Sequence, residues 1–176
     1  MRKIKYIIFT FFNRLLFYFH PKIQQKIQLT VPYVTSKPGN CGLACVSMIL
    51  SFNQKTHVYS QLIKKYKNPH FYDSLKGWIH TKLAFLLNKF NLSYKSHKCF
   101  FTTNLLAHIA KTKQPVIVSL LSKKNHQFEG HLCVLVGMDK QHFYIHDPRE
   151  NFNGRSLSLT FTEFNQQYSG NCIYKQ

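Results

Sequence analysis

With 176 residues, 44% of them hydrophobic and 15% aromatic, the chain is long enough for one domain with a real core, and this composition excludes a disordered polypeptide. Its 24 Lys+Arg against 6 Asp+Glu give a formal net charge of +18, so its surface attracts anionic lipid, nucleic acid or acidic protein. The lysines are scattered and no arginine-rich run or nucleic-acid motif is present, which sets a specific nucleic-acid role aside and makes each acidic residue informative.

Residues 1–20, MRKIKYIIFTFFNRLLFYFH, begin basic and continue as an apolar, aromatic run. Asn13 and Arg14 interrupt that run, leaving less than the roughly 20 residues that span a bilayer, and no small-residue cleavage site follows. As a helix it places Ile4, Ile8, Phe11, Phe12, Leu15 and Phe19 on one face. Two readings stay open for that stripe: an interfacial helix on an anionic membrane surface, or a face packed on the chain's own domain. His20 to Gln28 reads as a polar connector, which divides the chain into a segment of residues 1–28 and a domain of residues 29–176.

Leu29 to Thr35 is β-prone but carries Pro32, which fits an extended lead-in. After the turn Ser36-Lys37-Pro38-Gly39, the residues Ala44, Cys45, Met48, Ile49 and Phe52 recur at helical spacing and predict a buried helix from Cys41 to near Asn53. Cys45, one turn after Cys41, reads as core. Ser60 caps a short helix through Tyr66. Asp73 or Ser74 caps a longer one through Phe90, whose stripe includes Leu75, Trp78, Ile79, Leu83 and Leu86, with Trp78 as a core residue. A short strand over 92–99 and a helix from Thr103 to Lys111 follow.

Pro115 introduces a buried strand, Val116 to Leu121, and a polar loop spans Ser122 to Gly130. His131 to Met138 and Phe143 to Asp147 then form a hairpin that Pro148 ends. A strand over Leu157 to Phe161 and a short tail helix from Thr162 complete the chain.

Chemistry concentrates at three places. Cys41 opens a helix, where unpaired backbone N–H groups and the helix dipole favour negative charge and so favour a thiolate. In the hairpin, alternation puts His131 and Cys133 on one face. A three-residue loop would pair Met138 with His142 and set Cys133 opposite Asp147, making His131 and Asp147 diagonal neighbours; a two-residue loop would separate them. Cys41 as nucleophile, His131 as general base and Asp147 as the group that fixes the ring tautomer then compose a system for acyl transfer. His142 and His146 read as surface residues. The five cysteines, Cys41, Cys45, Cys99, Cys133 and Cys172, have no disulfide-framework or zinc spacing, and His126, His131 and Cys133 lack recognised ligand spacing. Free thiols in a reducing compartment, no metal and no cofactor are therefore expected.

Cys41-Gly42-Leu43-Ala44-Cys45 leading into Val46-Ser47-Met48-Ile49-Leu50, then Gly130-His131-Leu132-Cys133-Val134-Leu135-Val136-Gly137, then Ile145-His146-Asp147-Pro148 together resemble the bacteriocin-processing peptidases. These are papain-like enzymes that remove double-glycine leader peptides, and the similarity covers roughly residues 30–165. The resemblance implies an α+β papain-like cysteine peptidase fold, with an N-terminal helical part carrying the Cys and an antiparallel sheet carrying His and Asp. It places the catalytic roles on Cys41, His131 and Asp147, acting on a peptide or protein at the cytoplasmic face of a membrane or in the cytoplasm. A free-standing family member is the expected form. The family usually has an oxyanion-stabilising glutamine six residues before the nucleophile; here that place is Thr35, with Ser36 and Asn40 as further oxyanion candidates. That departure motivates the alternatives of a catalytically weakened module that binds a peptide or protein partner, and of a related acyl transferase or deamidase.

Overall fold

The computed structural model describes residues 26–55, 59–74, 77–98, 100–124, 127–149 and 156–176 together with Phe11, the side chains of residues 122–129 aside. The expectations for residues 1–20, and those resting on Leu75, Cys99 and His126, lie outside the described residues. Nine strands and five helices are described: β1 (Ile27–Gln28), α1 (Cys41–Phe52), α2 (Tyr59–Tyr66), β2 (Tyr72–Asp73), β3 (Gly77–Trp78), α3 (His80–Asn88), β4 (Tyr94–His97), α4 (Thr102–Thr112), β5 (Val116–Lys124), β6 (Gln127–Met138), β7 (His142–His146), β8 (Ser156–Thr160), α5 (Phe161–Gln167) and β9 (Tyr168–Lys175). None of the described helices is long and apolar enough to cross a membrane.

The fold is α+β. Its main sheet has seven strands in the order β4-β9-β5-β6-β7-β8, with β1 pairing against the end of β6, and all of these pairs are antiparallel. Strands β5 and β6 read as near-continuous apolar runs because both faces of the sheet are covered. One face carries Ile117, Leu132, Val134 and Val136 and packs with Leu43, Met48 and Ile49 of α1, Leu62 of α2 and Leu83, Leu86 and Leu87 of α3. The other carries Val118, Cys133 and Leu135 and packs with Leu105, Leu106 and Ile109 of α4 and Phe161 and Phe164 of α5. Every residue of α1 from Gly42 to Leu50 is buried, so this helix is a central element with little freedom to move.

Several elements differ from the sequence expectations for identifiable reasons. The helix expected from Asp73 or Ser74 begins only at His80, and Trp78 belongs to a two-stranded ribbon, β2-β3, that precedes it. Gly77 has φ 79°, which interrupts any helix, and the Trp78 indole is drawn away to donate to the Gly39 carbonyl at 3.2 Å. The polar stretch expected to be a loop over Ser122 to Gly130 extends the β5-β6 ladder, with Lys124 paired to Gln127. At the tail, α5 forms as expected, with Thr160 and Glu163 making a capping box, but β9 follows it and inserts between β4 and β5. Its Tyr-Ser-Gly-Asn start hides the strand pattern, and Gly170 there takes φ 81°.

The β6-β7 turn also departs by one residue. Asp139 accepts from the backbone N–H groups of Gln141 and His142, both at 2.8 Å, which winds a turn one residue longer than expected and pairs Met138 with Phe143. An irregularity between Leu135 and Gly137 then restores the register, so that Leu135 faces Ile145 and Val134 faces His146. Continued by one residue, that register brings Asp147 beside Cys133.

Candidate active site

Cys41 is the first residue of α1, and the chain reaches it through a turn at Gly39, whose φ of 78° suits glycine alone among common residues. The next residue, Gly42, is pressed against the Trp78 indole: a Cβ there would lie 2.5 Å from Trp78 Cγ. The missing side chain thus lets the ribbon tryptophan brace the helix start from below. Gly42→Ala is expected to cost about 1–3 kcal/mol, from overpacking against a buried ring, and to misplace Cys41. Urea denaturation followed by Trp78 fluorescence checks it.

His131 and Asp147 come together as the register requires. His131 Nε2 lies 2.8 Å from Asp147 Oδ1, with side-chain exposures of 15% and 1%. Since Nε2 faces the carboxylate, Nδ1 is the nitrogen left for Cys41, which lies near enough to act on the ring's proton affinity. Burial opposes the imidazolium, but the Asp147 and Cys41 hydrogen bonds and the charges of both groups outweigh it and raise His131 to about 9. For Asp147, burial opposes the carboxylate, and the hydrogen bonds from His131 and Arg149 overcome it and hold the group well below the usual carboxylate range.

The other sulfurs behave differently. Cys45 and Cys133 are buried, and burial pushes both thiols well up, with the charges of Cys41 and Asp147 adding to the effect. Cys45 is a core residue whose thiol donates to the Leu132 carbonyl at 3.4 Å. Cys41 is the half-exposed member among the four described cysteines, all of which are free. His131, Cys133 and Asp147 bring three donor atoms within 4.8 Å of one another, a spacing open to a metal. The two Asp147 oxygens are already engaged by His131 and Arg149, and the Cys133 thiol is held protonated, so the set fits a hydrogen-bonded relay better than a coordination sphere.

Of the oxyanion candidates, Thr35 is exposed, while Ser36 and Asn40 are buried. Ser36 N–H donates to the Pro148 carbonyl at 2.6 Å. Asn40 makes no capping hydrogen bond to α1, and its buried Oδ1 has no hydrogen-bond partner. Of the hairpin histidines, His142 is half-buried on Asp139, whereas His146 is buried, not on the surface as expected, with Nε2 2.8 Å from Ser156 Oγ.

Three residues near the site were not singled out from the sequence. Arg149 binds the Asp147 carboxylate, with Nη2 2.6 Å from Oδ2. The Tyr33 hydroxyl donates to the Asp147 carbonyl. Tyr59 opens α2; burial pushes its hydroxyl up to about 12, with the Ser36 hydroxyl acting against this and the charges of Cys41 and Cys45 adding to it. Spacing permitted the Arg149 contact, since an arginine two residues after a carboxylate can reach back to it, but did not require it; the tyrosines carry no such local signal.

Comparisons with known proteins bear on the family and the fold. Residues 26–171 match the Peptidase_C39 like family. Comparison with curated proteins gives no match. Among solved structures, a double glycine motif protease from an AMS/PCAT transporter, in complex with the leader peptide, is 18% identical, with 89% of this chain and 98% of that chain covered and a TM-score of 0.62. The peptidase domain of Streptococcus ComA, a bifunctional ABC transporter of a quorum-sensing pathway, is 16% identical, with 82% and 96% covered and a TM-score of 0.65. A chain described as a C39-like peptidase from Bacillus anthracis is 18% identical, with 87% and 98% covered and a TM-score of 0.67.

Proposed function

Since this chain belongs to the Peptidase_C39 like family, we propose that it is a cysteine peptidase acting on a peptide or protein through Cys41, His131 and Asp147. The observation that carries this reading is the imidazole of His131, joined at Nε2 to Asp147 at 2.8 Å, with its other nitrogen left for Cys41, which acts on the ring's proton affinity. His131 Nδ1 takes the Cys41 proton, the sulfur attacks the scissile carbonyl carbon, and a tetrahedral oxyanion forms. The C–N bond then breaks as the imidazolium returns that proton to the leaving amine. Water, deprotonated by His131, releases the acyl group from sulfur and restores the thiol. Asp147 holds the ring so that Nδ1 faces the nucleophile throughout.

The oxyanion would form at the start of α1, where the unpaired backbone N–H of Cys41 and the buried Asn40 side chain are the candidate donors in place of a glutamine at position 35. A peptide bearing a double-glycine motif is the first substrate to try, because one of the similar structures is a double glycine motif protease bound to a leader peptide.

Iodoacetamide at neutral pH is expected to label Cys41 ahead of the buried Cys45, Cys133 and Cys172, with labelling falling at least tenfold in His131→Ala, as mapped by peptide mass spectrometry. Equal labelling in both proteins would leave a binding module as the better reading.

A further inference from the structure

Resting on that catalytic reading, we infer that Arg149 is a positioning residue of the site, fixing the direction in which the Asp147 carboxylate faces and dividing its negative charge between the guanidinium and the His131 ring. The geometry is a fork. Arg149 Nη2 donates to Oδ2 at 2.6 Å, Nε lies 3.1 Å from both oxygens, and the Arg149 backbone N–H donates to Oδ1 at 3.0 Å. Oδ1, the oxygen that meets His131 Nε2 at 2.8 Å, is thereby held from two sides. A single-point donor would leave the carboxylate free to rotate; a planar guanidinium lying along both oxygens does not.

The segment is also latched to the chain that leads to the nucleophile. The Tyr33 hydroxyl donates to the carbonyls of Asp147 and, at 3.2 Å, Arg149, while Ser36 N–H donates to the Pro148 carbonyl at 2.6 Å and Ser36 bridges Arg149 in parallel. Residues 33–36 and 147–149 are therefore tied to each other at several points. Cys41 follows five residues after Ser36, so the latch ties the placement of the acid to the placement of the thiol.

Charge division has a consequence that simple bracing lacks. Among the described residues, the titratable or charged groups around the His131–Asp147 pair are Cys41 and Cys45 from α1, Cys133 from β6, the Tyr33 hydroxyl on the Asp147 carbonyl, and Arg149. Of these, Arg149 is the one that carries a fixed positive charge. Removing it leaves the full carboxylate charge to the imidazolium, which then holds its proton to higher pH, although the less well oriented ring serves Cys41 more slowly.

The test is an NMR titration of the His131 imidazole, together with iodoacetamide alkylation of Cys41 at pH 7, in the wild type, Arg149→Met and Arg149→Lys. For Arg149→Met the titration is expected to move up by about one pH unit, while alkylation slows about tenfold. Arg149→Lys, which keeps the charge but loses the fork, should return the titration to the wild-type position without restoring the rate. A His131 titration that is unmoved or moves down in Arg149→Met overturns the inference. If Arg149→Met does not fold, Arg149→Lys decides alone: wild-type alkylation there overturns the role of the fork. Failure of the catalytic reading itself shows elsewhere, as wild-type Cys41 alkylation that does not depend on His131.

Discussion

Replacing His131 with alanine is expected to reduce hydrolysis of a double-glycine peptide by about a thousandfold, at the strong end of what a positioned general acid–base contributes. The loss is large because the one ring serves two steps, taking the Cys41 proton before attack and returning it to the departing amine. No other described group can substitute: His146 is buried against Ser156, and His142 is engaged with Asp139 across the turn. The pH dependence carries a second signature. His131 in the folded protein is raised to about 9 against an ordinary value near 6.5, so the stability linked to its imidazolium is fully present below about 6.5, and the imidazolium itself is lost as pH rises through about 9. Activity that depends on the imidazolium should fall in that upper window in the wild type, and that limb should vanish in the variant. Rates measured from pH 5 to 10 with both proteins, at a fixed peptide concentration, check the result. Equal rates would sink the proposed roles.

How far the sequence discloses this site depends on how local its determinants are. Cys41 at a helix entrance was legible because a turn followed by helical periodicity is written in neighbouring residues, and the helix runs from Cys41 to Phe52. The neighbourhood of His131 and Asp147 was legible through strand alternation, yet by a partly mistaken route. The turn at Asp139 pairs Met138 with Phe143, and the irregularity near Val136 compensates. Two offsets cancel, and the functional pair meets. A side chain bonding to its own backbone, as Asp139 does, outranks loop-length preference in setting a turn.

What stayed hidden was set at long range. β9 is a weak strand by composition, but it gains its place because β4 and β5 offer facing edges, at Lys95↔Tyr174 and at Ile117↔Ile173. Trp78 left its expected helix for the Gly39 carbonyl, nearly forty positions earlier, a partner no window of sequence contains. The scarce acidic residues were individually informative, as their rarity promised. Asp139 winds a turn, Glu163 caps α5, and Asp147 binds both His131 and Arg149. That last doubling could not be read from spacing alone, because an arginine two residues on from an aspartate is as readily solvated as paired.

Asp147→Asn is expected to lower peptide hydrolysis by about a hundredfold or more, although the new side chain has almost the same shape. The reason lies in the two donors that now share the carboxylate. An asparagine amide offers one acceptor and one NH₂ group, so it cannot satisfy both Arg149 and His131. With its oxygen toward the Arg149 fork, the NH₂ faces His131 Nε2 and requires that nitrogen to accept, which puts the ring proton on Nδ1, where it blocks uptake of the Cys41 proton. With its oxygen toward His131, the NH₂ meets the guanidinium donor that now sits 2.6 Å from Oδ2, donor against donor. Either choice fails one partner. The lost charge acts in the same direction: without a carboxylate to support it, the imidazolium titrates below about 9, moving toward the ordinary value near 6.5, and the upper activity limb moves down with it. Arg149→Met moves that limb up, because it removes a positive charge where Asp147→Asn removes a negative one. A pair of opposite displacements, measured in the same buffer series, distinguishes charge shared across Asp147 from a general loosening of the site, which would displace both variants the same way or neither.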